Sequence, residues 1–568
     1  MSVALQNYHD WLNSEIVDPQ SKNELLKIKD DYKAIKELFG TELSFGTGGL
    51  RGIIGVGLNR MNTYVVRKAT QGLANYLRKT YPDSSPLKVA IAHDTRLYSH
   101  EFTEEVALVL AANGIQAVIF SGPKPTPFLS FIIRELKCVA GIVITASHNP
   151  SQYNGYKVYG PDGGQAVSPF VDDLSKAITQ VDIFRDIQLI SRQEAERNGL
   201  IKLVSSEFDE QYLKIIRSYS LNQPQQKIKV VFTPLHGTGY CFIPTLLAQS
   251  RFIDLTVVKE QMTADCKFST VKVPNPEDKD SFTLALELAK QKNADLVIAS
   301  DPDCDRLGCA VKAFNGEYHF LTGNQIGALI LEYLLSQLQK KQELPDDGVL
   351  IKTIVTSDLG KKIAESYGVK TIETLTGFKY IGEKIKEFEI NGSPQFLFGY
   401  EESYGYLVGT YARDKDANIV ALLLAEMSAY YKEQDLSLLQ VLENLFQRYG
   451  YFQEDLLSIE LQDETKTNRV MNILEQQPPV VSGLQAVEKR NYQQRKSYNL
   501  LTGQKQTLSL PRSKVLYYRF NDDSWFCFRP SGTEPKVKLY FSVIAASKQE
   551  ASDKLAKLRN AVLANINV

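Results

Sequence analysis

The sequence predicts an α/β protein of several domains, and three observations carry that prediction. Short apolar, β-branched runs alternate with stretches of helical periodicity from residue 87 to residue 400, the pattern of strands joined by helices. Most of these runs are apolar throughout instead of alternating, as strands covered on both faces must be. The chain is 568 residues long, too much for one core when domains usually hold about 100–200 residues.

Each element follows from its local pattern. Residues 1–40 are charged and helical and read as a solvated cap. Leu87–Asp94 reads as a strand, followed by a helix from Ser99 to Gly114 and a strand at Gln116–Phe120. The run Cys138–Ile144 is another buried strand. A second block repeats the theme with strand Ile228–Phe232, a helix from about Phe242, strand Leu255–Val258, a helix through Leu284–Leu288 and strand Ala294–Ala299. A third runs from the helix after Gly323 through strands Val349–Ile354 and Gln395–Phe398. Polar residues 461–512, rich in Gln, Lys and Asn, read as a solvated face. Strands at Lys514–Phe520, Ser524–Phe528 and Lys536–Val543, then a helix over Lys548–Asn565, give the tail a different plan.

Composition narrows the function classes. Sixty-five Lys and Arg stand against 66 Asp and Glu, a net charge of −1, so no global field draws nucleic acid or an anionic membrane. No apolar run approaches the roughly 18 residues that span a bilayer. The opening residues Met1–Asp10 lack a basic-then-apolar signal pattern. Cys138, Cys241, Cys266, Cys304, Cys309 and Cys527 show no paired spacing and read as buried thiols. Cytoplasm is the expected location.

Four motifs carry chemistry. Thr145-Ala-Ser-His-Asn-Pro-Ser-Gln-Tyr-Asn154 follows the strand Cys138–Ile144; a serine in a turn of Ser, His, Asn and Pro is displayed, not buried. His148 is adjacent, but side chains at i and i+1 do not naturally meet, and no Gly-x-Ser-x-Gly elbow is present. Alone, this stretch reads as a turn with a satisfied hydroxyl, and the other motifs reverse that reading. Ser300-Asp-Pro-Asp-Cys-Asp-Arg306 sets Asp301, Asp303 and Asp305 two residues apart. Their carboxylates repel unless a hard cation sits among them, and Mg²⁺ prefers oxygen ligands. An EF-hand is excluded because its sixth and twelfth places hold Arg306 and Lys312 instead of Gly and Glu; a solvated acidic turn stays open.

Phe528-Arg-Pro-Ser-Gly-Thr-Glu-Pro-Lys536 offers an anion cradle: the Arg529 fork, the Ser531 and Thr533 hydroxyls, and backbone N–H groups exposed by Gly532. A plain hairpin turn is the alternative. Gly399-Tyr-Glu-Glu-Ser-Tyr-Gly405 puts two carboxylates and a hydroxyl at a strand end, where they could grip a polyol or be no more than an acidic edge. The glycine-rich Phe45–Gly52 fails the dinucleotide fingerprint, since Arg51 stands where its third Gly should be. It reads instead as a loop presenting one Arg to an anionic ligand.

In this order and over residues 45 to 540, Thr-Ala-Ser-His-Asn-Pro, Asp-x-Asp-x-Asp-Arg, Glu-Glu-Ser and Arg-Pro-Ser-Gly-Thr-Glu-Pro resemble the α-D-phosphohexomutases, nearest the bacterial phosphoglucomutase and phosphoglucomutase-2-like members. The resemblance implies three similar α/β domains plus a smaller C-terminal α+β domain around a central cleft. The boundaries expected are 1–207 with the phosphoserine loop, 208–323 with the metal loop, 324–450 with the sugar loop and 451–568 with the phosphate loop. It also implies Ser147 as the phosphoserine and one Mg²⁺ on Asp301, Asp303, Asp305 and the Ser147 phosphate. Lys157 and Arg51 become candidates for proton transfer. Arg306, Thr376, Gly377, Lys379, Glu401 and Ser403 would contact substrate, and Arg529, Ser531, Gly532 and Thr533 would grip its non-reacting phosphate.

One departure stands out. Many members carry a His after the Glu-x-Ser segment, whereas this chain has Tyr404-Gly-Tyr406 and then Tyr411-Ala-Arg-Asp-Lys415. Lys157, with Arg413 and Lys415 as charge partners, is expected to stand in. The activity implied is the interconversion of glucose 1-phosphate and glucose 6-phosphate through glucose 1,6-bisphosphate. A phosphopentomutase or phosphomannomutase on the same mechanism, a Mg²⁺-dependent sugar-phosphate phosphatase and a sugar-phosphate binding protein are the alternatives.

Overall fold

The computed structural model describes residues 2–46, 48–82, 86–461, 464–530 and 536–566. It divides into two compact units: residues 1–323, 378–399 and 403–435 form the first, and residues 324–377, 400–402 and 436–568 the second.

The first unit holds two sheets of one plan. The six-stranded sheet runs Leu50–Ile53, Tyr153–Tyr159, Ala140–Ile144, Lys88–His93, Gln116–Ile119, Ile201–Leu203, and the five-stranded sheet runs Tyr318–Phe320, Leu307–Lys312, Leu296–Ser300, Ile228–Thr233, Ile253–Val257. In both, the central strands are parallel. The last of them turns back into an antiparallel neighbour. Ala140–Ile144 and Leu296–Ser300 are buried at every residue, which is why their sequences show no alternation. The strand Gln395–Glu401, buried after its first residue, has Gly405–Val408 as its neighbour. Helices cover the sheets, and the one over Thr63–Thr80 starts where the Asn62 side chain accepts the Val65 N–H. Its Gly72 allows Phe170–Thr179 to pack close: a Cβ there would lie 2.6 Å from Ile178.

Residues 1–40 form three helices, Val3–Asn13, Pro19–Lys27 and Tyr32–Phe39, but they are no solvated cap. Tyr8, Trp11, Leu25 and Phe39 are buried in the same core as Val89 and Ile91, and Trp11 stacks edge-on to Phe39 and Tyr64. The charged faces dominate the sequence while a few large aromatics do the packing. The glycine-rich stretch also differs from expectation, since Leu50–Ile53 is a strand pairing with Tyr153–Tyr159.

The second unit contains the parallel pair Gly348–Thr353 and Lys370–Thr374 and a seven-stranded sheet. The sheet order is Tyr451–Glu460, Lys536–Ala545, Trp525–Pro530, Leu516–Phe520, Ala486–Asn491, Lys496–Asn499, Lys505–Thr507. Helices Glu464–Gln476 and Lys548–Ile566 pack on it. The segment 461–512, read as a solvated face, thus supplies a helix and three strands. Its strands are short and polar at the sheet margin, so they lack the hydrophobic signature of buried ones. No helix among the described residues is long and apolar enough to cross a membrane.

Candidate active site

Two of the four motifs occupy one topological position, the turn after the last parallel strand of a sheet, and a third follows the strand Gln395–Glu401. Each turn holds a non-glycine residue with left-handed backbone: Ser147 at φ 51°, Cys304 at φ 55° and Tyr404 at φ 63°. Such a conformation costs an L-residue about 1–3 kcal/mol and persists only where the surroundings impose it.

At Ser147 the twist aims the hydroxyl at the metal loop, and Ser147 Oγ lies 2.7 Å from Asp301 Oδ2. It also brings His148 round, so that Nδ1 stands 3.1 Å from Ser147 Oγ. Adjacent side chains do meet here, against the expectation drawn from ordinary backbone. Burial, then the charges of Arg306 and Arg51, push the His148 imidazole well below its usual range, so it is neutral at physiological pH. Arg51, exposed on its strand, donates to Asn149 Oδ1 at 3.1 Å. Beneath the loop, Arg96 and Asp94 are fully buried and engage its backbone.

The aspartate loop closes on itself. Asp301 Oδ1 accepts the backbone N–H groups of Asp305 and Arg306 at 3.1 and 3.0 Å. All three carboxylates are buried, with ligand atoms within 4.8 Å of one another. Lys157 Nζ stands 3.1 Å from Asp303 and Lys415 Nζ 3.0 Å from Asp305. Burial and mutual repulsion push Asp301 and Asp305 upward, whereas at Asp303 burial is outweighed by Lys157, which holds the carboxyl below its usual range. Among the described residues, Asp303 Oδ1 and Asp305 Oδ1 are buried without a hydrogen-bond donor. Orphaned buried oxygens are costly, and an oxygen-seeking cation is the partner this donor set fits. The trio can therefore hold a metal ion.

Other expected residues fall as follows. Arg306 donates to Glu277 Oε1 at 2.6 Å. Lys415 reaches Asp305 over Gly405, whose absent side chain makes room: a Cβ there would lie 2.0 Å from Lys415 Cδ. Lys379, buried at the start of helix Phe378–Asn391, and Ser403 also belong to the first unit. The Arg413 guanidinium is not brought to the aspartates; it is buried against Glu389 and the Thr410 carbonyl. In the second unit, Gly377 donates its N–H to Glu401 Oε1 at 2.9 Å, and Thr376 Oγ1 is buried with no hydrogen-bond partner among the described residues. Arg529 ends the strand Trp525–Pro530 and lies 3.5 Å from the Tyr540 hydroxyl. Ser531, Gly532 and Thr533 lie outside the described residues.

Residues 42–183, 210–316 and 322–449 match, in turn, the alpha/beta/alpha domains I, II and III of phosphoglucomutase/phosphomannomutase. The phosphoglucomutase of Staphylococcus saprophyticus is 36% identical over 528 residues, 91% of this chain and 94% of that protein. The chain belongs to the phosphoglucomutase/phosphomannomutase family. The Staphylococcus aureus phosphoglucomutase is likewise 36% identical, over 92% of this chain and 93% of its own length. Among solved structures, parafusin, a phosphoglucomutase of Paramecium, superposes with a TM-score of 0.70 at 18% identity, covering 93% of this chain and 95% of that one. A family member from Burkholderia thailandensis gives 0.65 at 19% identity, covering 91% and 96%. The three α/β domains and the sheet-rich C-terminal region are thus those of a phosphohexomutase.

Sequence reasoning missed Asp94, Arg96, Glu277 and Asp414. Asp414 accepts from the Tyr159 hydroxyl at 2.7 Å and from Lys415 Nζ at 3.2 Å. The only signal was charge beside an apolar strand, as in His93-Asp-Thr-Arg96, which a single sequence does not set apart from a surface turn.

Proposed function

We propose that this phosphohexomutase interconverts glucose 1-phosphate and glucose 6-phosphate, using Ser147 as the phosphoryl carrier and glucose 1,6-bisphosphate as intermediate. The observation that carries the reading is Ser147 Oγ placed 2.7 Å from Asp301, inside the buried acidic cluster. Glucose as the sugar is supported by the phosphoglucomutase relatives at 36% identity.

In the first half-reaction the free sugar hydroxyl attacks the phosphorus on Ser147. A new O–P bond forms and the Ser147 Oγ–P bond breaks; Lys157, as the ammonium, gives a proton to the departing Ser147 Oγ as it takes up the one from the sugar hydroxyl. After the bisphosphate has turned end for end, Ser147 Oγ attacks its other phosphorus, the sugar O–P bond breaks, and the Ser147 proton passes by the same relay to the departing sugar oxygen. Such transfer asks mainly for positioning and charge neutralisation. One Mg²⁺ on Asp301, Asp303, Asp305 and the Ser147 phosphate would neutralise the phosphoryl oxygens. Arg51, from the strand Leu50–Ile53, and Arg306, from the metal loop, would face this charge. Glu401 and Ser403 are assigned to sugar hydroxyls, and Thr376, Gly377, Lys379 and Lys415 to further substrate contacts. Arg529 with Ser531, Gly532 and Thr533 grips the non-reacting phosphate. The engagement of Arg413 with Glu389 supports a part in shaping the turn before Lys415, not contact with the sugar. A soluble sugar-phosphate substrate and six unpaired thiols agree with a cytoplasmic location.

The test is incubation with glucose 1-phosphate, Mg²⁺ and trace glucose 1,6-bisphosphate. Glucose 6-phosphate formation, lost by about 10³-fold or more in Ser147→Ala, supports the mutase. Release of inorganic phosphate supports a phosphatase, and faster turnover of mannose or pentose 1-phosphates reassigns the sugar.

A further inference from the structure

We infer that Asp94, Arg96 and Thr145 are positioning residues for phosphoryl transfer: together they hold Ser147 in the left-handed conformation that turns its hydroxyl toward Asp301. The inference rests on the reading of Ser147 as the phosphoryl carrier and adds residues that touch neither sugar nor phosphate.

The brace has two arms that meet at one carboxylate. In the first, the Thr145 hydroxyl donates to Asp94 Oδ2 at 2.6 Å and accepts the backbone N–H of Ser147 at 2.8 Å. A hydroxyl has one proton. With that proton on Asp94, its lone pair must face Ser147. The second arm is Arg96. Its guanidinium collects the carbonyls of Ser147 at 2.5 Å, Pro150 at 2.9 Å and Tyr153 at 3.2 Å, together with that of Asn149. Four carbonyls of one short loop thus converge on one planar fork, a geometry that lysine cannot reproduce.

Asp94 aligns the fork. Its Oδ2 lies 3.2 Å from Arg96 Nε, and its Oδ1 accepts the Arg96 backbone N–H at 2.9 Å and the Ser99 hydroxyl at 2.8 Å. The Phe268 ring lies against the guanidinium, 5.0 Å from centroid to Cζ. Both charged side chains are wholly shielded from solvent, so their attraction is little screened and removing either partner would strand a buried charge. The cost of the twisted Ser147 backbone is offset here, and the relation explains why so much buried polarity serves so few loop residues. Reacting groups misplaced by about 1 Å can lose about 10²-fold in rate.

Thr145→Val keeps the shape and deletes the relay, and Thr145→Ser restores it. For Thr145→Val the expected result is kcat lowered about 30–100-fold with KM within about threefold, as a positioning loss requires. Amide exchange across residues 145–153 accelerates about tenfold, while the melting curve of the whole protein stays close to that of the parent. Thr145→Ser returns rate and exchange to the parent's range. Arg96→Lys provides a second measure if Thr145→Val does not fold, and it loosens the same segment. Unchanged kcat and exchange in Thr145→Val, or Thr145→Ser as impaired as Thr145→Val, overturns the brace. A parent enzyme that isomerises nothing and never carries phosphate at Ser147 defeats the functional reading instead, and exchange at 145–153 still tests the brace.

Discussion

Ser147 and Cys304 take nearly the same backbone angle, φ 51° and 55°, each just past the last parallel strand of its sheet, yet different forces keep them there. The aspartate loop is closed by its own residues: Asp301 takes the N–H groups of Asp305 and Arg306 on its side chain and that of Cys304 on its carbonyl. The Ser147 loop sends its carbonyls to Arg96, about fifty residues upstream, by bonds spanning 51 and 53 positions. A loop that grips a cation can be templated by the carboxylates that do the gripping. On the proposed reaction the Ser147 oxygen must stay available for transfer and cannot serve as support, so the rigidity of its loop comes from elsewhere.

The largest effect expected from this contrast is in the self-templated loop. Asp301→Asn removes a metal ligand, weakens the acceptor of two backbone donors and alters the partner of Ser147 Oγ. Turnover should fall by about 10³-fold or more, since a catalytic cation supplies several kcal/mol. Calorimetric titration with Mg²⁺ should show no binding comparable to the parent's. A variant that binds Mg²⁺ as the parent does would mean that the loop is not built around Asp301.

The same contrast explains what a reader of the sequence could see. Asp301, Asp303 and Asp305 announce their function because ligand and scaffold are contiguous. Arg96 and Thr145 do not, because the relation between them exists only once Lys88–His93 and Ala140–Ile144 lie side by side. The alternation of strands and helices was legible because buried strands are uniformly apolar. The N-terminal helices were misread because three or four aromatics such as Trp11 and Phe39 anchor an otherwise charged surface. The strands of 486–507 were missed because polar residues at a sheet margin carry no periodic signal. The closeness of Ser147 and His148 follows from a left-handed φ that no local rule forecasts for serine.

A second prediction extends the comparison to Arg529, the proposed phosphate grip, which lies on a strand instead of a twisted turn. Arg529→Ala should raise KM for the sugar phosphate by about 10–100-fold, the worth of one charge-assisted bidentate contact, and leave phosphate occupancy at Ser147 near the parent's level. A variant in which kcat falls while KM holds would place Arg529 in the transfer step and not in the grip.

The aspartate loop also depends on cations that the Ser147 loop does not use. Lys415 lies 3.0 Å from Asp305 and Lys157 3.1 Å from Asp303, so the metal-free loop is partly neutralised by lysine. Lys415→Met should lower the apparent melting temperature of the metal-free protein by several degrees, because breaking a buried pair leaves an uncompensated charge. Millimolar Mg²⁺ should close most of that gap. An equal deficit with and without Mg²⁺ would show that Lys415 supports the fold, not the charge balance of the trio.

The smallest effect comes from the third turn, the one carrying Tyr404, where an acid is held by hydroxyls. Glu402 Oε2 accepts from Thr353 and Thr356, both at 3.3 Å. Burial, then the neighbouring charge of Glu401, push its carboxyl up to about 7, against the pull of its own backbone N–H, Arg529 and Lys538. The direction of the pH effect follows. Below the ordinary carboxylate range, both folded and unfolded chains keep the proton and nothing is lost. As pH rises toward 7 the unfolded chain releases the proton while the folded one retains it, so stability falls, and above 7 the loss is complete. At about 1.4 kcal/mol per pH unit the loss is about 3 kcal/mol at most. Glu454, pushed up to about 7 by burial, acts with the same sign, so the informative quantity is the difference between Glu402→Gln and the parent at each pH. Urea unfolding of the two should agree near pH 4.5 and diverge by pH 7.5, with Glu402→Gln the more stable. Parallel curves across that range would mean that Glu402 stays ionised in the fold, and that the third turn, like the aspartate loop, is steadied by cations.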